Sequence, residues 1–360
     1  MRLGYFMQPL HPPGADLTQT LQDDMAQVVA LDRLGFDEAW IGEHLTLEWE
    51  NIASPEIFIG MALAKTERIK LGTGVSCLPN HNPFSLAHRI AQLDHMAQGR
   101  FQWGVGAGST PGDMDAFNVD WSAGEHYKLA QETVESVLEL WAGAEPGHYG
   151  NRWFRYKVTE PMEDVASHLY MKPYQQPHPP IAVAGLSPDS PSLTWAGERG
   201  WYPMSIQYCC ERVLRGHWAS VEAGARKTER TPERAEWRVC REVFVAETSA
   251  EARRLALEGV LRRDYVDYNL VIMEKFGALG LFKNDEALPD AAVTPEFLVD
   301  NMWIVGSVDE VEEKLRALHA SVGGFGMLLV LAHEWEPREP WERSMRLLQE
   351  EVMPRLSDLS

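Results

Sequence analysis

Glu43 and His44 stand side by side in WIGEHL (40–45), at the end of a run that reads as a strand. A carboxylate and an imidazole delivered together by a strand end can hold and pass protons near neutral pH. A histidine that serves structure alone is the competing reading. A metal centre does not fit, because no His-x-x-x-His pair or clustered ligand set accompanies them. His81, in LPNHNPF (78–84), is placed by a third strand to line the same cavity.

Two glycine-bearing loops add a second kind of chemistry. GVGAGS (104–109) spaces its glycines as Gly-x-Gly-x-Gly, and STPGDMDAFNVDW follows before any long helix. That is not the dinucleotide fingerprint, which needs Gly-x-Gly-x-x-Gly opening a helix. It is either a tight turn or a nest of backbone amides suited to an anion. AGLSPDSPS (184–192) frees the backbone at Gly185 and sets Ser187, Ser190 and Ser192 before a helix. Such serines cap the helix or help hold a phosphate at its positive end. Two such loops on one face favour a phosphate-bearing cofactor.

The elements that must position these residues recur about every thirty residues. Strand-like runs at 2–7, 37–44, 69–78 and 100–108 alternate with amphipathic helical runs. A small hairpin is expected in GHYGNRWFRYKV (147–158). Strands resume at 181–186, 202–208, 236–247 and 325–335, the last two separated by a long helical stretch from Ser249 to about Phe276 and a loop at 277–296. Eight strand–helix units in 360 residues predict a single (β/α)8 TIM barrel domain over 1–360, with insertions after strands 4 and 7. The second insertion, about 262–300, is expected to act as a lid. Active sites of such barrels lie at the carboxyl ends of the strands. Met7 and Trp335, at the ends of strands one and eight, are therefore candidates for a substrate pocket with His81. A doubly wound sheet is disfavoured, since its first turn would be MQPLHPPG.

Composition narrows the partners. Fifty-three acidic residues against 33 basic ones leave a formal charge of -20, which argues against nucleic acid. No run of about 18 apolar residues is present, so no membrane helix is expected. MRLGYFMQPLHPPG lacks the pattern of a signal peptide. Cys77, Cys209, Cys210 and Cys240 show no framework spacing and read as reduced thiols of a cytoplasmic protein.

GFDEAWIGEH, LGTGVSCLP, LDHMAQGRFQWGVGAG, AVAGLSPDSPSLTWAGERG and IVGSVDEVEEKL together resemble the bacterial luciferase-like flavin monooxygenase family. PLHPPG and WENIASPE are closer to its limonene and diketocamphane monooxygenase branch. The resemblance implies a barrel that binds FMN, reduced by a separate NAD(P)H:flavin reductase, and uses dioxygen to oxygenate a small apolar organic substrate. Baeyer–Villiger insertion and hydroxylation or epoxidation are both open, because the cofactor carries that chemistry. It further implies His44 as the catalytic histidine, Glu43 as its acidic neighbour and a non-prolyl cis peptide at Gly74–Val75. Gly106, Ala107, Gly108 and the loop holding Gly185, Leu186, Ser187 and Ser190 would hold the flavin, with Tyr208 as an aromatic approaching it. A dimer or larger homo-oligomer is implied. Luciferase's reactive cysteine and phosphate-binding arginine are replaced by Gly106 and Ala107, which disfavours light emission. A deazaflavin-dependent dehydrogenase on the same barrel and a non-catalytic flavin-binding protein are the alternatives.

Overall fold

The computed structural model describes residues 1–8 and 10–359. Eight parallel strands follow one another around a closed sheet. They are β1 (Arg2–Met7), β2 (Glu38–Ile41), β3 (Lys70–Thr73), β4 (Phe101–Gly106), β5 (Ile181–Gly185), β6 (Tyr202–Ser205), β7 (Arg238–Arg241) and β8 (Met327–Leu331). β1 pairs with β8 from Arg2↔Met327 to Phe6↔Leu331, and β3 closes the ring on β4 through Leu71↔Phe101. This is the (β/α)8 barrel that the strand spacing predicts.

The barrel interior is a separate apolar cluster built on Phe6, Trp40, Ala182, Met204, Met327, Leu329 and Leu331. Its largest occupant, Trp40, explains the glycines around it. A Cβ on Gly72 would lie 2.5 Å from the Trp40 ring, and one on Gly74 would lie 2.8 Å from Trp40 Cβ. Small residues thus face a large one across the ring, as a barrel of this size requires. At the amino-terminal end, Arg238 donates to both oxygens of Glu38 (2.9 and 3.1 Å), which also accept from Trp40 Nε1 and Gln102 Nε2. All four side chains are buried, so every charge there is paired.

Helices α1 (Leu17–Leu34), α2 (Pro55–Leu63), α3 (Pro83–Ala97), α4 (Glu125–Ala142), α5 (Pro191–Arg199) and α6 (Glu211–Lys227) cover the first six strands. Local signals fix their ends. Asp16 caps α1 by accepting from Thr18 N and Gln19 N, and Gly35 ends it in the left-handed region at φ 93°. The hairpin forms as expected, Gly147–Gly150 against Arg155–Val158.

Three elements differ from the sequence reading. The third strand stops at Thr73, and a short piece, Ser76–Cys77, resumes beside Val105 and Gly106 after a cis Gly74–Val75 peptide. The seventh strand breaks at Glu242. Beyond it, Val243–Val245 leaves the barrel to pair with Ile304–Gly306, a strand that the sequence reading does not include. The stretch from Ser249 is not one helix. It breaks at Gly259, and a π turn at Tyr265–Asn269 separates Val260–Asp264 from Leu270–Lys275. The expected lid is largely ordered by short turns, Leu279–Phe282 and Asp290–Ala292, and the start of helix Pro295–Asn301. Among the described residues, no helix is long and apolar enough to cross a membrane.

Candidate active site

A cavity of about 530 Å³ opens at the carboxyl ends of β1 to β6 and is roofed by residues 277–286. Glu43 and His44 reach it from β2, and Gly74 and Val75 from β3. Gly106, Ala107 and Gly108 enter from β4; Gly185, Leu186, Ser187 and Ser190 enter from β5. The two glycine-bearing loops and the Glu–His pair therefore share one space. Close packing explains part of the glycine content. A Cβ on Gly106 would sit 2.5 Å from Val75 Cγ2, and one on Gly185 would sit 2.5 Å from Leu193.

His44 is held from both ring nitrogens. Nε2 lies 2.9 Å from Glu50 Oε2, and Nδ1 lies 3.2 Å from Thr110 Oγ1. Tyr268 donates to the other Glu50 oxygen at 2.5 Å, and its ring stacks on Trp49. Burial favours the neutral imidazole, but the Glu50 carboxylate outweighs it, and the His44 pKa rises above its ordinary value. Burial likewise opposes the Glu50 carboxylate, yet the His44 charge and the Tyr268 hydroxyl bring its pKa below normal. The loop after β2 that carries this pair folds back on itself, His44 N donating to Ile52 O at 3.1 Å. Asp113 accepts from Leu45 N and Thr46 N, which ties that loop to the segment after β4.

Glu43 is a hub. Its carboxylate accepts from Cys77 N (3.1 Å), Asn80 Nδ2 (3.0 Å) and His81 Nε2 (3.0 Å). Arg89 lies 3.0 Å from His81 Nδ1 and can only donate, so Nε2 carries the proton offered to Glu43. Burial pushes the Cys77 thiol pKa well up, and the neighbouring Glu43 adds to it. Cys77 is thus a wall of the cavity, not a nucleophile. On the other side, Ser190 Oγ accepts from Leu193 N at 3.2 Å, so this serine caps α5 while also facing the cavity.

Four expected site residues lie outside the lining. Met7 is fully buried on the outer side of β1, because the strand alternates and Phe6 and Gln8 face inward. His81 stands behind Glu43. The Tyr208 hydroxyl donates to Asn269 Oδ1 at 2.6 Å, beneath the lid segment. Trp335 donates to Tyr5 OH at 3.3 Å and borders a different recess, with His11, Gln27 and Glu334. Sequence reasoning misses Phe6, Gln8, Glu50, Thr110, Arg212 and Tyr268. The period of two along β1 would have given Phe6 and Gln8. The others come from loops and helix starts with no periodic signal. Among the described residues, no His, Cys, Asp and Glu group could hold a metal ion.

The space suits a flat apolar group with an anionic tail. Val75, Ile206 and Leu281 supply apolar walls, and a Cβ on the roof residue Gly280 would meet nothing within 4 Å. One end gathers Ser187, Ser190, Ser192, the start of α5 and Arg212.

Comparison with known proteins agrees with this layout. Residues 1–323 match the family described as "Luciferase-like monooxygenase". The chain is 32% identical to 3,6-diketocamphane 1,6-monooxygenase of Pseudomonas putida, over 99% of this chain and 98% of that one. It is 35% identical to 4-hydroxyprotoasukamycin monooxygenase of Streptomyces nodosus subsp. asukaensis, over 98% and 92%. Limonene 1,2-monooxygenase of Rhodococcus erythropolis is 31% identical over 98% and 85%. The solved oxygenating constituent of the P. putida 3,6-diketocamphane monooxygenase, a type II Baeyer–Villiger enzyme in complex with FMN, superposes with a TM-score of 0.91 over 99% and 98% of the chains. The chain belongs to the luciferase-like monooxygenase family.

Proposed function

We propose that this protein is the oxygenase component of a two-component monooxygenase. It takes reduced FMN from a separate NAD(P)H:flavin reductase and oxygenates a small apolar organic molecule, by Baeyer–Villiger insertion or by hydroxylation or epoxidation. The observation that carries the reading is His44, paired with Glu50 at 2.9 Å, on the wall of a cavity that also carries the glycine and serine loops. A cytoplasmic, single-domain protein working as a dimer or larger assembly is part of the same proposal.

When bound, reduced FMN supplies the two electrons that activate dioxygen, one oxygen atom entering the substrate and the other leaving as water. The chain's own residues supply the setting. The backbone at Gly74–Val75 and at Gly106–Gly108 gives two walls for the ring system, and Glu43 fixes the first of them by holding Cys77 N. The Glu50 charge raises the His44 pKa against burial, which favours a proton at Nδ1, facing the Thr110 hydroxyl. The roof at 277–286 excludes water, so that charge developing in the cavity meets fixed protein dipoles instead of solvent.

Supplying the purified protein with reduced FMN, labelled dioxygen and a panel of cyclic ketones and terpenes tests the reading. One labelled oxygen atom in a product supports it. Hydride transfer from a reduced deazaflavin, with no oxygen incorporated, would replace it with the dehydrogenase alternative.

A further inference from the structure

The two loops that enter the cavity bring no cation. Gly106, Ala107, Gly108 and Ser109 line it from the β4 loop, and Ser187, Ser190 and Ser192 line it from the β5 loop. Among the described residues, Arg212 is the one arginine or lysine lining the cavity. It stands in the first turn of α6, and the packing of that helix explains its reach. A Cβ on Gly216, one turn further on, would lie 2.5 Å from Pro188 O, so α6 presses against the β5 loop on the face that carries Arg212.

The guanidinium is already occupied, and its partners are unusual. It donates to the backbone oxygens of Gly280 (3.0 Å) and Lys283 (3.3 Å), and Nη1 lies 3.0 Å from Glu286 Oε1. Glu286 also lines the cavity, yet its side chain is 74% exposed. A carboxylate this exposed is weakly held and easily exchanged. Asn284 accepts from Arg212 N (3.0 Å) and Cys210 N donates to Leu281 O (2.8 Å), so the roof segment stays fastened when the Glu286 contact is lost.

Resting on the FMN reading above, we infer that Arg212 is the cation that holds the cofactor's phosphate, and that Glu286 occupies it as a stand-in anion until the phosphate displaces it. The phosphate takes the edge of the fork that Glu286 vacates, and the backbone carbonyls keep the guanidinium aimed at the β5 loop. The cavity thus obtains from β6 the charge that the β4 loop lacks.

The test compares FMN with riboflavin, which lacks the phosphate, by flavin fluorescence quenching on the wild type, Arg212→Gln and Glu286→Gln. Arg212→Gln is expected to weaken FMN about 10- to 100-fold, as loss of a charge-assisted bond implies, and to leave riboflavin within about twofold. Glu286→Gln is expected to tighten FMN by about two- to fivefold without changing riboflavin. Equal weakening of both flavins by Arg212→Gln, or no effect of Glu286→Gln on FMN, would overturn the inference. If Arg212→Gln does not fold, Arg212→Lys replaces it; the point charge without the fork must still weaken FMN more than riboflavin. A wild type that binds the two flavins equally sinks the inference and leaves the proposed function standing. A wild type that binds neither, and does not bind reduced FMN in an anaerobic titration, sinks both.

Discussion

His44 Nε2 lies 2.9 Å from Glu50 Oε2, and the remaining Glu50 oxygen is engaged by Tyr268 from a turn 218 residues away in the chain. The lid segment thereby reaches the imidazole through one carboxylate. Glu50 does not line the cavity, so any effect it has there passes through His44.

Replacing Glu50 with Gln keeps the shape and removes the charge. Burial is then opposed only by the Asp113 and Glu43 charges, and the His44 pKa falls. The alkaline limb of the rate–pH profile is expected to move toward acid. Turnover near neutral pH should fall about 10- to 100-fold, with flavin affinity within roughly threefold. A purely structural Glu50 would lower turnover without moving the profile. Tyr268→Phe removes only one bond and should cost less, about tenfold or below.

Gly106→Ala forces a Cβ to within 2.5 Å of Val75 Cγ2, so the cis Gly74–Val75 wall or the β4 end must shift. The expected loss is about 1–3 kcal/mol of stability. Flavin affinity should drop by roughly tenfold, since both displaced segments line the cavity. Thermal melts and flavin fluorescence titration check the two effects separately.

At the other end of the barrel, Glu38→Leu takes from the buried Arg238 the carboxylate it grips with two bonds and leaves it only Glu236, at 3.3 Å. Urea unfolding should show about 3–5 kcal/mol lost. The double variant with Arg238→Leu should recover most of that loss, because removing both charges leaves none uncompensated. A double variant as unstable as the single one would contradict the pairing argument.

His11 joins the loop after β1 to α1 and to the β8 end, with Nδ1 2.7 Å from Glu334 and Nε2 3.1 Å from Asp24. Burial opposes its charge, but the two carboxylates prevail and raise its pKa to about 9. The folded value lies above the unfolded one, so this stabilisation is complete below about pH 6.5 and is lost as the pH climbs through about 9. Denaturant titrations across that window should show stability falling with pH, and His11→Asn should flatten the fall.

How much of this was legible in the sequence follows from the range of each signal. Strand–helix alternation is local, and it gives the barrel. The caps at Asp16, Ser190 and Ser307 are also local, and each accepts from a backbone N–H as its position implies. Breaks inside apolar runs are not local. RVCREVFV reads as one strand, and only the partner strand at Ile304–Gly306 shows where it divides. The end of the first strand points to Met7, whereas its parity gives Phe6 and Gln8, which line the cavity. Glu50 and Tyr268 carry no pattern that joins them to His44, since folding alone brings them together. Arg212 hides in an amphipathic helix start, where a charged residue reads as surface.

The measurement that tests the central claim most directly is an anaerobic titration with reduced FMN, followed by rapid mixing with oxygenated buffer under an absorbance detector. The account predicts saturable binding of reduced FMN and a long-lived species whose spectrum differs from both reduced and oxidised flavin. Immediate reoxidation to free oxidised FMN, with no such species, would contradict it.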